Sequence, residues 1–492
     1  MDYKTPQDLI DRVQRIINQE VFTAEEATEA YSMLEYLINL DRQCSGFCFL
    51  MGALLMREKR YGLSEHWYLR ALDLCDESNA ELAAINNNLG FIAEQEGRRE
   101  ESLARFSKAT ELVPGNTEFY NNMGTQFVNV GDPKTAIDWC EKALAADPNN
   151  ADARWNRGLA KLELGEWEEG FAGYYYGLLA GPNSSQKRKT RTYPGQEDVP
   201  YWDGKEGVTV AAYGEQGVGD EILAASVLSE VSEKVNLIYE AHPRLVEIFR
   251  HSFGEKFPIY GTRKVQSPEL IWPQWQKIDA KAPIFNLISY CRKTDSDFPQ
   301  QAYLKPYDNL VDKYREKVRK LGDRPKIGIS WKGGSVLTRN DLRNIPIKDW
   351  VPFLKAYDVD WISVQYDPAD QQGHNTPIVQ ELESETGLSL NHWPEVINDL
   401  DECYGGLIHA LDAVISINSS VVHACGAYGV KCLTLTPIGC AWRYNVPQDD
   451  PDWYGNNHMM WYGPWVTQIR QDTPGRWDNV FEELHVKMGE LQ

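Results

Sequence analysis

Gly90, Gly124 and Gly158 stand 34 residues apart, and Gly97, Gly131 and Gly165 repeat the same interval. Pro114 and Pro148 keep it, as do Ala109 and Ala143. Self-similarity at a fixed period marks a chain built from repeated supersecondary units, and it restricts the fold more than any single residue can. Gly124 falls where two helices of a hairpin must approach closely, and Ala136 and Ala143 are the matching small residues on the second helix. Pro148 ends the pair, because proline cannot continue a helix. An earlier unit carries Met51-Gly52, Tyr68 and Ala71, offset by four extra residues around Asp76 to Glu81. Two further helices, near Gln7–Gln19 and Ala24–Leu40, read as a degenerate starting pair.

Tyr120, Met123-Gly124, Phe127, Ala136, Ala143 and Pro148 fall at the positions of a tetratricopeptide (TPR) unit. Residues 1–180 therefore resemble a TPR α-solenoid, a stack of helix hairpins whose concave face docks an acceptor or a protein partner. The same kind of array can instead buttress a neighbouring domain or build a homodimer. With 17 Lys and Arg against 30 Asp and Glu in residues 1–180, its surface is acidic.

At 492 residues the chain has room for about three domains. Its 42% hydrophobic content is ample for several cores. The net charge of −22 argues against a broad grip on nucleic acid or on an anionic membrane, while leaving a local basic groove open. No apolar run nears the roughly 18 residues of a membrane span, and no signal peptide is read at the start. No membrane insertion and a cytoplasmic setting are the expectations. Nine cysteines without C-x-x-C spacing fit a reduced compartment, and Cys44 and Cys48 read as core.

Residues 181–206 read as a linker: Gly181 to Ser185, the basic run Lys187-Arg188-Lys189 with Arg191, then proline and glycine. The basic run reads as solvated charge. From Val208 strands and helices alternate. Strands are expected at Val208–Tyr213, Val235–Tyr239, Pro283–Leu287, Lys326–Trp331, Trp361–Gln365, Ala413–Ile417 and Cys432–Thr436. Helices between them imply parallel sheets with right-handed crossovers. The charged helix Pro306–Leu321 separates two Rossmann-like domains, 207–322 and 323–475. A last helix, in 476–492, is expected to reach back across both. In paired sheets of this kind a ligand sits between the domains, at the carboxyl ends of the strands.

Four stretches carry chemistry. Gly214-Glu215-Gln216-Gly217-Val218-Gly219-Asp220-Glu221 follows the first strand, and its glycines suit a tight turn close to a ligand. It lacks the Lys-Ser/Thr of a P-loop, so it does not mark an NTPase. Asp220 and Glu221 form a carboxylate pair at a helix start, favouring the dipole or, at a cleft mouth, serving as general base. Ser330-Trp331-Lys332-Gly333-Gly334, with Arg339, Asn340, Arg343 and Asn344 behind it, places cations beside a glycine turn. That suits a diphosphate, or is surface charge on a long loop. Gln365 ends a strand. Lastly, Ala413–Ile417 runs into Asn418-Ser419-Ser420 and a small-residue helix from Val421 to Tyr428, which Gly429 ends. The first N–H groups of such a helix lack partners and its dipole is positive there, so the turn is an anion site or a capped crossover.

Trp202-Asp203-Gly204, Gly214 to Asp220, Gly328 to Gly333, Arg343-Asn344-Ile345-Pro346, Ser363-Val364-Gln365 and Ile415 to His423 occur in that order, with Trp442-Arg443 and Asp452-Trp453-Tyr454 behind them. Together they make the chain similar to TPR-fused glycosyltransferases of the GT-B fold, related to the heptosyltransferases (glycosyltransferase family 9). The resemblance implies an α-solenoid followed by an α/β GT-B pair of Rossmann-like domains. It implies an inverting transfer of a sugar from a nucleotide-sugar donor to an acceptor hydroxyl, without metal or cofactor. On it, Asp220 is the catalytic base, and Trp331, Lys332, Arg343, Gln365, Asn418, Ser419, Ser420 and His423 bind the donor. Glu215, Gln216, Gly217 and Gly219 form the acceptor-side loop. The family turn carries Asp where this chain has Asn418, so the donor need not be a heptose. Two other readings stand beside it. One is a transferase acting on modified bases of nucleic acid docked by residues 187–191, which the acidic balance disfavours. The other is a TPR scaffold with a degenerate transferase half, against which Asp220, Lys332, Arg343 and His423 speak together. Asp358-Val-Asp360 begins a strand and is not read as a metal motif.

Overall fold

The computed structural model describes residues 5–19, 21–75, 79–179, 188, 190–193, 196, 198–262, 277–333, 340–366, 377–444 and 457–490. They divide into two compact units, residues 1–157 with 179–187, and residues 158–178 with 188–492.

The first unit is a helical solenoid. Ser45–Arg57 pairs with Tyr61–Leu74, Asn79–Gln95 with Arg99–Leu112, and Thr117–Val130 with Pro133–Ala146, after Pro6–Ile17 and Ala24–Leu40. The periodic glycines are slots. A Cβ on Gly52 would meet the Tyr68 ring at 3.0 Å, one on Gly90 the Phe106 ring at 3.1 Å, and one on Gly124 the Cys140 Sγ at 2.7 Å. The second glycine of each repeat turns the chain through left-handed backbone, φ 74° at Gly97 and 79° at Gly131, as only glycine does without strain. The hairpin of Ser45–Arg57 and Tyr61–Leu74 takes the same turn at Lys59, φ 61°. Amide bonds tie successive repeats: Asn122 Nδ2 donates to Asn87 Oδ1 at 2.8 Å, and Asn156 Nδ2 to Asn121 Oδ1 at 2.8 Å.

The second unit holds two sheets. The first contains β1 (Thr209–Tyr213), β2 (Asn236–Glu240), β3 (Ile259–Tyr260) and β4 (Ala280–Pro283), all parallel in the order β3-β2-β1-β4. The second contains β5 (Lys326–Ser330), β6 (Asp360–Ser363), β7 (Ala413–Ile417), β8 (Cys432–Thr436), β9 (His458–Met459) and β10 (Gly463–Arg470), in the order β6-β5-β7-β8-β10-β9. Only β9 runs antiparallel to its neighbour. Largely apolar runs such as Ala413–Ile417 are fully buried, as parallel strands covered on both faces must be.

Three expectations are corrected. The run 283–287 is not a strand: β4 ends at Pro283 and Ile284–Cys291 is a helix whose Ile284, Phe285, Leu287 and Ile288 are buried. A short apolar run does not by itself tell a buried helix from a buried strand. The eight-residue β10 went unread because Thr467 and Gln468 interrupt its apolar pattern, although Gln468 is buried. The last helix, Asp478–Gly489, does not span both sheets: Val480, Leu484 and Met488 pack into the core of the second sheet with Trp350 and Phe353.

The sequence boundary at 180 also differs from the division of the fold. Helix Trp167–Tyr175 belongs to the second unit, with Trp167 Nε1 donating to Asp295 Oδ1 at 2.6 Å and the Phe171 and Tyr174 rings against Trp442 at 5.7 and 6.0 Å.

Candidate functional site

Each sheet reverses its winding once, between β1 and β4 in the first and between β5 and β7 in the second. At such a reversal the loops leaving adjacent strands part in opposite directions and open a crevice. The loop after β1 leads into helix Val218–Ala224, and the turn after β7 into helix Ser420–Tyr428. These two helices pack directly on each other. A Cβ on Gly219 would stand 2.7 Å from His423 Cδ2 and 2.9 Å from Ser420 Cα, so glycine is the residue that lets them touch.

That contact sets Asp220 beside the second sheet's loops. Its Oδ2 accepts from the Gly217 N–H at 3.2 Å, and its Oδ1 lies 2.7 Å from Arg443 Nε. Burial works against the Arg443 charge, and the nearby Asp220 carboxylate more than offsets it, so the guanidinium pKa stands above its ordinary value. The expected carboxylate pair is split. Glu221 is fully buried and accepts from Tyr239 Oη at 3.0 Å and His242 N–H at 2.7 Å, in space that Gly214 leaves open. Of the two, Asp220 is the one that stays partly exposed.

Glu215, expected on the acceptor side, is buried in an ion pair with Arg188. Arg188 also donates to Tyr174 O at 3.1 Å and Asn286 Oδ1 at 2.7 Å. Arg191 pairs with buried Glu240 at 2.8 Å. The basic run is thus not a solvated linker at these two positions. Arg188 and Arg191 neutralise buried carboxylates that lie far along the chain. Gln216 Nε2 bonds Tyr174 Oη at 3.3 Å, and Gly217 is exposed. Lys187, Lys189, Gly334, Arg339 and Asp452-Trp453-Tyr454 lie outside the described residues.

The turn after β5 is held from within by Gln365. Its Oε1 accepts from Trp331 N–H at 3.1 Å and Lys332 N–H at 3.0 Å, and its Nε2 donates to Lys332 O at 2.6 Å and Tyr366 O at 2.8 Å. With its amide so engaged, Gln365 shapes the turn. The Trp331 indole lies in the sheet core beside Ile327 and Trp350. Both were expected at the donor; the Gln365 amide bonds the turn and the Trp331 indole packs in the core. Gly333 N–H bonds Asn344 Oδ1 at 2.9 Å, and a Cβ on Gly333 would lie 3.7 Å from Ser419 Cβ. Arg343 Nη1 donates to Asn418 O at 3.1 Å. Lys332 is half exposed, its Nζ 3.4 Å from Glu381.

Asn418 is buried. Its Oδ1 accepts from Thr434 Oγ1 at 3.0 Å and Thr436 Oγ1 at 3.1 Å, leaving Nδ2 without a partner among the described residues. Ser419 caps the helix by accepting from Val421 N–H at 3.2 Å, and Ser420 Oγ lies 2.8 Å from Tyr404 Oη. His423 is enclosed, with Nδ1 2.8 Å from Tyr462 Oη and Nε2 2.8 Å from Tyr444 Oη. Burial holds its pKa down at about 3, so the ring is neutral. Sequence reasoning gave no role to Arg443, although it quoted Trp442-Arg443, and it missed Tyr404, Tyr444 and Tyr462. Only the fold brings these residues to the turn.

A separate cavity of about 410 Å³ is lined by Glu247, His251, Tyr307, Asn309, Leu310 and Asp401. Two carboxylates without Lys or Arg make it unsuited to a phosphate. Among the described residues no three His, Cys, Asp or Glu are grouped to hold a metal ion, and no helix is long and apolar enough to cross a membrane.

The architecture is that of a repeat protein, a TPR solenoid joined to α/β sheet domains, and the comparisons bear on the repeat. Residues 117–150 match the Tetratricopeptide repeat family. Protein FlbA of Caulobacter vibrioides is 25% identical over 440 residues, 80% of this chain and 70% of FlbA. The chloroplastic tetratricopeptide repeat domain-containing protein PYG7 of Arabidopsis thaliana is 30% identical over 113 residues, 23% of this chain and 38% of PYG7. Among solved structures, Pseudomonas aeruginosa pilF aligns with 37% of this chain and 77% of its own at 18% identity and a TM-score of 0.31. YrrB, titled a TPR protein with an unusual peptide-binding site, aligns with 37% of this chain and 90% of its own at 17% identity and a TM-score of 0.28.

Proposed function

We propose that the α/β unit is an inverting, metal-independent glycosyltransferase of the GT-B type, related to the heptosyltransferase (family 9) group, and that the TPR array selects its protein or peptide partner. One observation carries the reading. The carboxylate of Asp220, the capped helix start at Ser419-Ser420 and the guanidiniums of Arg343 and Arg443 converge where the loops of two switch points meet.

In this reading the donor diphosphate lies at the start of helix Ser420–Tyr428, near Lys332 and Arg343, with the Asn418 Nδ2 donor turned to it. The acceptor hydroxyl gives its proton to Asp220 as its oxygen attacks the anomeric carbon. The bond from that carbon to the diphosphate breaks, and its electron pair leaves with the nucleoside diphosphate. Attack from the opposite face inverts the anomeric centre. Preorganised N–H groups and cations answer the leaving charge. Gln365 and Trp331 hold the donor turn, and neutral His423 positions Tyr444 and Tyr462.

The test is a panel of nucleotide sugars followed by thermal shift and nucleotide release, with TPR-bound partners supplied as acceptors. A stabilising donor is expected, with Asp220→Asn lowering turnover by on the order of 10²–10⁴ and Lys332→Ala weakening the donor. If no nucleotide stabilises the chain and neither variant changes anything, the α/β unit is not a transferase and the array is a scaffold.

A further inference from the structure

Arg443 is the residue of this site that the proposed reaction does not yet use. Its Nε lies 2.7 Å from Asp220 Oδ1, so the proposed base is held by a guanidinium. Neither partner is sealed away, with Arg443 and Asp220 side chains 15% and 20% exposed. The guanidinium lies over the Phe285 ring at 5.5 Å and the Trp442 ring at 5.4 Å, contacts that do not depend on its partner anion. The next residue, Tyr444, reaches the Ser420–Tyr428 helix through its hydroxyl on His423, at 2.8 Å. Arg443 thus stands between a carboxylate on one helix start and an anion-favouring helix start on the other.

A carboxylate oxygen that faces a guanidinium is turned to that cation and not to an acceptor hydroxyl. A diphosphate carries more charge than Asp220 and accepts a guanidinium fork with better geometry. We infer that Arg443 is a positioning residue that moves from Asp220 to the donor's diphosphate, so that donor binding itself frees the base and the acceptor is engaged second. This rests on the transferase reading, but the exchange of partners is testable without turnover.

The experiment titrates inorganic pyrophosphate into the full chain by calorimetry, for the wild type, Asp220→Asn, Arg443→Gln and the double variant. Asp220→Asn is expected to tighten pyrophosphate about tenfold by releasing the guanidinium, and Arg443→Gln to weaken it about tenfold. On the Arg443→Gln background the Asp220→Asn gain should fall to less than threefold. Arg443→Lys, which keeps the charge without the fork, should retain part of the coupling and shows whether loss in Arg443→Gln is only misfolding. Simple removal of a repelling charge would tighten pyrophosphate equally on both backgrounds, and that result overturns the inference, as does a wild type and Asp220→Asn that both fail to bind. If the coupling is found but no nucleotide sugar stabilises the chain, the exchange stands and the transferase reading falls.

Discussion

His423 Nε2 lies 2.8 Å from the Tyr444 hydroxyl, and its Nδ1 lies the same distance from that of Tyr462. A ring clasped on both nitrogens and fully buried must stay neutral, and its pKa of about 3 follows from that burial. An unfolded histidine titrates near 6.5, so on acidification the unfolded chain takes the proton first. The His423 contribution is intact above about pH 6.5 and is lost as the pH falls toward 3. Between pH 6.5 and 5 the loss is about 2 kcal/mol. Denaturant unfolding across that range should show His423→Gln, which offers both hydrogen-bonding atoms without titrating, flatter than the wild type by this amount.

Lys59 occupies the turn that Gly97 and Gly131 occupy in later repeats, and holds φ 61° without glycine's freedom. Its side chain is exposed, so little contact is lost by removing it. Lys59→Gly should stabilise the solenoid by about 0.5–1 kcal/mol, while Gly131→Ala should cost a similar amount. Chemical denaturation measures both, and a destabilised Lys59→Gly would contradict the repeat alignment.

Gly219→Ala drives a methyl to 2.9 Å from the Ser420 backbone, which has no flexible end to give way. A cost of about 1–3 kcal/mol is expected. Gly217→Ala, whose Cβ meets only Asp220 Oδ2 at 3.3 Å, is the control and should fall well short of that.

Arg188→Met leaves Glu215 buried without its cation and should cost about 3–5 kcal/mol. Adding Glu215→Met should recover most of it, because two apolar side chains then replace a desolvated pair. A solvated Arg188 would instead give single and double variants close to wild type.

The helical repeat was legible because its glycines do a steric task at one period: Gly90 admits Phe106 and Gly124 admits Cys140. Asn87 and Asn122 were not, since they bond at an interval of 35, one residue off the repeat that aligns the glycines. β7 and β8 match their expected bounds because a strand covered on both faces is largely apolar and rich in β-branched residues, with small polar side chains at most. Arg188 shows where such reading stops. A basic run with glycine and proline looks the same whether its cations are solvated or spent on carboxylates, and Glu215 and Glu240 give no local sign of which. Trp331 and Gln365 were both assigned to the donor from separate stretches, and a sequence does not say which side of a loop faces inward or that Gln365 bonds the turn after β5.

The missing side chain of Gly219 has a mechanical consequence. Backbone already rests against Ser420 and His423 with no compressible group between them, so the two sheets of the α/β unit meet there at a hard stop. Neither helix can advance on the other at this point without moving backbone, so a side chain added at position 219 is felt on both.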